Sequence, residues 1–236
     1  MSEDTGLWAY AITEDGHLSG PDGAVDLSWL TGVGETKVRT AASCGLTVLV
    51  SDVSLAEFGE AALRENLENL DWLDEVAQEH HYVIDAAARL FPLLPVRLAT
   101  VYSGDAALCA ALASHNAELL DALRRVGGRV EWGVKAYPAA EPAAAAASAA
   151  RAIHAELAAK AAETRLHPPQ SAQLSGVRKP TLVNAAYLLD AADGVTFTAA
   201  VAGQATAHPE LRIELSGPWP PYSFAGDEGQ APDPGT

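Results

Sequence analysis

A pair of glycines, Gly127-Gly128, divides this chain into two halves with separate patterns. Before the pair, Leu108, Leu112, Leu119, Leu123 and Val126 line one side of a helical stretch, and the glycines stop it. Directly after the pair, Val130, Trp132, Val134 and Ala136 alternate with Glu131, Gly133 and Lys135. That is the period of a strand with one apolar face. A helix that stops at paired glycines and a strand that starts at once place a domain boundary there. The 236 residues are comfortable for two cores. The expected organisation is an N-terminal domain over 1–127, a second over 128–225, and a mobile tail over 226–236 rich in Gly, Pro and Asp.

In the first half, Gly6-Leu7-Trp8-Ala9-Tyr10-Ala11-Ile12 reads as a strand closed by the turn residues Glu14-Asp15-Gly16. Strands are expected over 33–39 and 46–50, joined as a hairpin through 40–45. The unbroken apolar run Thr47-Val48-Leu49-Val50 suits a central strand covered on both faces. Ser54 with Glu57 forms a capping box for a helix reaching about residue 70. Asp71 is then the expected cap of a second helix reaching Leu90, with Leu73, Val76, His80, Val83, Ala87 and Leu90 along its inner stripe. Pro92 and Pro95 end it. A short strand over 95–99 and a helix capped by Ser103 complete the half.

The second half reads strand, helix, strand, helix, strand. The first helix, with Pro142 in its first turn, is Ala-rich and extends to about residue 165. Within it Glu156 and Lys160 are spaced to pair across one turn. His167-Pro168-Pro169 breaks it, and a polar loop runs to Pro180. Strands over 181–189 and 211–215 flank a helix over 193–205. Long helices over few strands suit two compact α+β sandwiches, with ferredoxin-like units as the expected form.

The net charge is −16, and basic residues cluster only as Arg124-Arg125 and Arg178-Lys179, so a nucleic-acid partner is not expected. No apolar run is long enough for a membrane span, and the acidic opening Met1-Ser2-Glu3-Asp4 lacks the regions of a secretory signal. A cytoplasmic location follows as the expectation. Cys44 and Cys109 have no metal-site or CxxC spacing and are expected to be buried, reduced thiols. Neither GxSxG nor HExxH occurs, and there is no GxGxxG or GxxxxGK[ST] loop. The best metal-like group is Glu79-His80-His81 with Asp85, since His81 and Asp85 lie one turn apart. His80 sits instead on the apolar stripe, so one packed and one solvated histidine is the simpler reading. A metal-dependent enzyme using His80, His81 and Asp85 and a small-molecule regulatory module stand as alternatives; neither a metal nor another cofactor is expected.

Three segments carry a family resemblance. They are Pro95-Val96-Arg97-Leu98-Ala99-Thr100-Val101-Tyr102, then Gly128-Arg129-Val130-Glu131-Trp132-Gly133-Val134-Lys135, and finally Gly217-Pro218-Trp219-Pro220-Pro221-Tyr222-Ser223-Phe224. In this order, and with the opening Trp8-Ala9-Tyr10-Ala11-Ile12, the chain resembles the GvpL/GvpF family of gas vesicle accessory proteins. Ala99 departs from the family, which often carries glycine there. The resemblance implies two α+β domains, no catalysis, and location at the gas vesicle or in the cytoplasm. It implies contacts with the hydrophobic shell protein and other accessory proteins. The residues singled out for such contacts, or for fixing the motifs, are Arg97, Glu131, Trp132, Lys135, Trp219, Tyr222 and Phe224. Strand alternation places Trp132 in the core and Glu131 and Lys135 at the surface; Arg97 is given a structural pairing with a carboxylate such as Glu131. Three prolines hold the closing segment extended. Its aromatics either lock the segment onto the core or form a docking ridge.

Overall fold

The computed structural model describes residues 5–20, 23–139, 143–168 and 181–226. The chain divides into two units at Gly127/Gly128.

The first unit is built on β1 (Thr5–Glu14). Short pieces follow: β2 (Ser19–Gly20), β3 (Gly23–Ala24) and β4 (Thr31–Gly32). The hairpin β5 (Thr36–Ser43) and β6 (Leu46–Ser54) turns through Cys44 and Gly45, with φ of 57° and 80°. Two successive left-handed residues suit the tight turn that right-twisted strands need. Later come β7 (Leu94–Pro95) and β8 (Val101–Tyr102). The sheet order is β4-β5-β6-β1-β7, with β8 also on β1. All neighbours of β1 are antiparallel to it. As the apolar run implied, Leu46 to Ser51 are buried on both faces.

Tyr10 sits where β1 slips register against β6, between Ala9 and Ala11. Its hydroxyl donates to Ser51 Oγ and accepts the Val33 N–H, at 2.9 and 2.8 Å. A Cβ at Gly32 would lie 2.1 Å from that hydroxyl oxygen, so only glycine fits there.

The helices differ from expectation at their ends. Ser54 does cap, accepting the Ala56 N–H. The helix breaks at Gly59 into α1 (Leu55–Phe58) and α2 (Glu60–Asn66). The long helix α3 (Leu70–Ala88) is capped by Asn69, not Asp71; Asn69 Oδ1 accepts the N–H groups of Asp71 and Trp72. Its inner face buries Val76, His80, Val83, Ile84 and Ala87, while Leu90 lies beyond its end and is exposed. Gly104, not Ser103, precedes α4 (Asp105–Ser114), and His115 separates it from α5 (Asn116–Val126). The expected strand over 95–99 is only β7; the chain then loops to β8, with Ala99 at φ 63°. Cys44 is exposed and Cys109 half-buried, so the expected pair of buried thiols is corrected.

The second unit runs β9 (Arg129–Pro138), α6 (Ala143–Ala158), β10 (Glu163–Leu166), β11 (Val183–Asp190), α7 (Gly194–Ala207) and β12 (Leu211–Trp219). Its sheet order is β10-β11-β9-β12, all antiparallel. This is the ferredoxin-like split βαβ arrangement. The Ala-rich helix stops at Ala158, earlier than its composition suggested. Residues 163–166 pair with β11 instead, because sheet pairing outweighs a small helix preference. Lys160 therefore lies past the helix, and Glu156 takes a hydrogen bond from Gln204. Pro142, most of the loop up to Pro180, and the tail beyond Gly226 lie outside the described residues. One face of the sheet and both helices enclose Trp132, Val134, Ala136, Ile153, Leu157, Tyr187, Phe197 and Val201. Among the described residues, no helix is long and apolar enough to cross a membrane.

Ala99 in the left-handed region carries a cost that glycine avoids. Ala99→Gly should raise stability by about 0.5–1 kcal/mol, read as a higher urea midpoint at unchanged slope. A lower midpoint would show that the methyl group packs usefully.

Candidate functional site

Two of the motifs meet in the second unit. β9 presents Glu131 on the sheet face opposite the helices. β12 pairs with β9 up to Ser216, then bulges through Gly217 and a cis bond to Pro218, and Trp219 resumes opposite Glu131. Gly217 has φ 120°, and a Cβ there would lie 2.8 Å from the Glu131 carbonyl oxygen. The chain then folds over the face: Pro220 and Pro221 are buried, and residues Tyr222–Phe224 make a single 3₁₀ turn.

That turn clasps Glu131. The Ser223 N–H donates to Glu131 Oε2 and the Ser223 hydroxyl to Oε1, both at 2.7 Å. Phe224 follows at 0% exposure, with the Arg165 guanidinium 5.8 Å over its ring. Glu131, expected at the surface, is therefore only 9% exposed. Alternation along the strand was read correctly, but the closing segment covers the outer face. Burial pushes the Glu131 pKa up, against the Ser223 hydrogen bonds and the fields of His167 and Arg165, which lower it.

His167 Nε2 lies 3.2 Å from Ser223 Oγ. Serine, histidine and glutamate are the residue types of a hydrolytic triad, but the bonds run differently. The Ser223 proton goes to Glu131, so His167 donates to the serine oxygen. In a triad the serine gives its proton to histidine and the carboxylate holds the other ring nitrogen. The cluster is a clasp with a third member behind it.

The remaining candidates divide. Trp132 is in the core as expected, packed on Phe197 and against Gly194 and Gly217. Its Nε1–H has no hydrogen-bond partner among the described residues. Trp219 is 41% exposed and Tyr222 half-buried, so Phe224 is the aromatic that anchors the segment. Lys135 is half-buried on the same face as Glu131, opposite Glu214 of β12. Arg97 is an exposed loop residue of the first unit, and Glu131 takes its hydrogen bonds from Ser223. Sequence reasoning missed the parts played by Ser223, His167 and Arg165. Separations of 56 and 92 residues left no local signal for these contacts.

His80, the alternative metal ligand, is committed elsewhere. Its Nδ1 accepts the Trp8 indole N–H at 2.9 Å, so the proton sits on Nε2 and points to the Val96 carbonyl at 3.1 Å. Tyr10 stacks on its ring at 5.4 Å. Asp85 pairs with Arg89 at 2.8 Å. Among the described residues no three His, Cys, Asp or Glu side chains gather as metal ligands.

The geometry defines a two-unit α+β protein in which two of the three motifs converge on one clasped strand end. The profile described as "Gas vesicle synthesis protein GvpL/GvpF" matches residues 6–150 and 139–226. Gas vesicle protein L of Streptomyces sp. (strain CB03234) is 37% identical, aligned over 96% of this chain and 95% of its own length. The crystal structure of GvpF from Anabaena sp. PCC7120 superposes with a TM-score of 0.70 at 20% identity, covering 94% of this chain and 96% of that one. GvpF from Microcystis aeruginosa gives 0.70 at 18% identity, covering 94% and 99%. The chain belongs to the GvpL/GvpF family of gas vesicle proteins.

Two outcomes follow from these clusters. Ser223→Ala removes one of the hydrogen bonds to a buried carboxylate and should cost about 1–3 kcal/mol, read by urea unfolding; an unchanged midpoint would mean the clasp is ornamental. His80, held near pKa 4 by burial against an ordinary 6.5, takes up its proton in the unfolded chain first. Its contribution is therefore full above pH 6.5 and lost as the pH falls toward 4. Between pH 7 and 4.5 the parent should lose on the order of 2–3 kcal/mol more than His80→Gln. Equal losses would show that His80 is not the sensitive group.

Proposed function

We propose that this protein is a gas vesicle assembly factor that binds the hydrophobic shell protein, with other accessory proteins as further partners, at the vesicle and in the surrounding cytoplasm. The observation that carries the reading is Trp219. It stands 41% exposed at the end of β12, on a backbone set by Pro218, Pro220 and Pro221. Phe224 and the Ser223 clasp hold that backbone from the other side. A large aromatic presented rigidly loses little entropy on binding, which is what a contact residue needs. Leu166 and Val195 are also exposed in this unit, giving it further apolar contact surface. The net charge of −16 keeps such a surface soluble.

A helper for a sticky building block must hold it and then release it into a wall, so the binding is moderate and reversible. The test is co-purification of the full chain with the shell protein at low and high salt. Trp219→Ala should lower capture about tenfold while leaving the urea midpoint nearly unchanged. No capture by the parent protein at either salt would sink the proposal. Unaltered capture by the variant would move the contact away from Trp219.

A further inference from the structure

β12 is the last strand of its sheet, and among the described residues no strand pairs with its outer side. Such an edge offers backbone donors and acceptors to another chain. Over its first part the edge carries the alternation Leu211, Arg212, Ile213, Glu214, Leu215. Leu211 belongs to the core cluster, and Ile213 and Leu215 pack against it. Arg212 and Glu214 therefore share the opposite face, where they form an ion pair with each other. Proline at 218 and the bulge before it end the regular edge, leaving a stretch of about six residues.

This stretch is complementary to itself. Placed antiparallel to a second copy about a twofold axis through Ile213, it sets Arg212 opposite the other copy's Glu214, and Glu214 opposite the other copy's Arg212. Leu211 then faces Leu215, and Ile213 faces its own equivalent. Directly opposed unlike charges and aliphatic pairs stabilise antiparallel strands, and like charges destabilise them. Centring the axis on Arg212 or Glu214 brings like charges face to face. A shift of one residue turns the charged row onto the apolar face. The register centred on Ile213 alone pairs the whole stretch Leu211–Leu215 and satisfies both rows.

We infer that the β12 edge is a self-association surface, joining two copies of this chain into a continuous antiparallel sheet across the two units Gly128–Phe224. The occupant is a second copy because the charge pattern inverts on itself about Ile213. The contact is small beside the roughly 1,200–2,000 Å² of stable complexes, so association is weak and concentration-dependent. The inference stands independently of shell-protein binding.

Sedimentation equilibrium of the full chain, at about 0.15 M salt to screen the charge between copies, reads it. The parent protein should show a monomer–dimer equilibrium. Glu214→Arg and Arg212→Glu should each weaken dimerisation about tenfold or more, because each opposes like charges in both cross-strand pairs. An equimolar mixture of the two variants should associate again, since one strand is then all basic and the other all acidic. This recovery also shows that both variants are folded. A parent protein that stays monomeric at its highest soluble concentration overturns the inference. So do single variants that dimerise like the parent, or a mixture that does not recover.

Discussion

The segment after β12 is held by a carboxylate that would not otherwise be buried. Glu131 accepts two hydrogen bonds from Ser223, and those bonds let the closing segment lie on the outer face of β9. Without the two donors, a buried glutamate would be strongly unfavourable. With them, Phe224 reaches full burial under Arg165, and the backbone between Gly217 and Phe224 has both ends fixed. Trp219 then has a defined direction in spite of its exposure. One carboxylate thus fixes the proline-rich backbone from which the half-exposed Trp219 projects.

The first unit uses a buried polar node in a different way. His80 joins three elements: β1 through Trp8 and Tyr10, the loop after β7 through Val96, and α3 to which it belongs. Each polar atom on the ring has a partner, so a histidine in an apolar stripe is tolerated. The same commitments separate it from metal chemistry. Tyr10, stacked on it, reaches Val33 and Ser51 and requires Gly32 to be glycine. The aromatic opening of the chain is therefore a set of hydrogen-bond anchors as well as apolar mass.

Much of this organisation was legible beforehand. The doubly covered strand near Val48 and the inner stripe of α3 follow from periodicity, which reports burial directly. Failures cluster where a local preference competed with something distant. Asn69 caps α3 although Asp71 was equally suitable by type. Ala-rich helix composition ran on past Ala158, but β11 claimed residues 163–166 as a strand. Glu131 looked like a surface residue because alternation predicts a face, not what later covers it.

By itself, the sequence determined which residues alternate, where the glycine pair interrupts the pattern, and that a proline-framed aromatic segment follows the last strand. These are properties of neighbours along the chain, set by backbone sterics and side-chain period. Only the tertiary structure decided that Ser223 meets Glu131, that Phe224 goes inside while Trp219 stays out, and that His80 is fully bonded. Those outcomes depend on contacts between residues 16 to 92 positions apart. Burial and hydrogen bonding at such separations are chosen by the packing of whole elements, which no local pattern encodes.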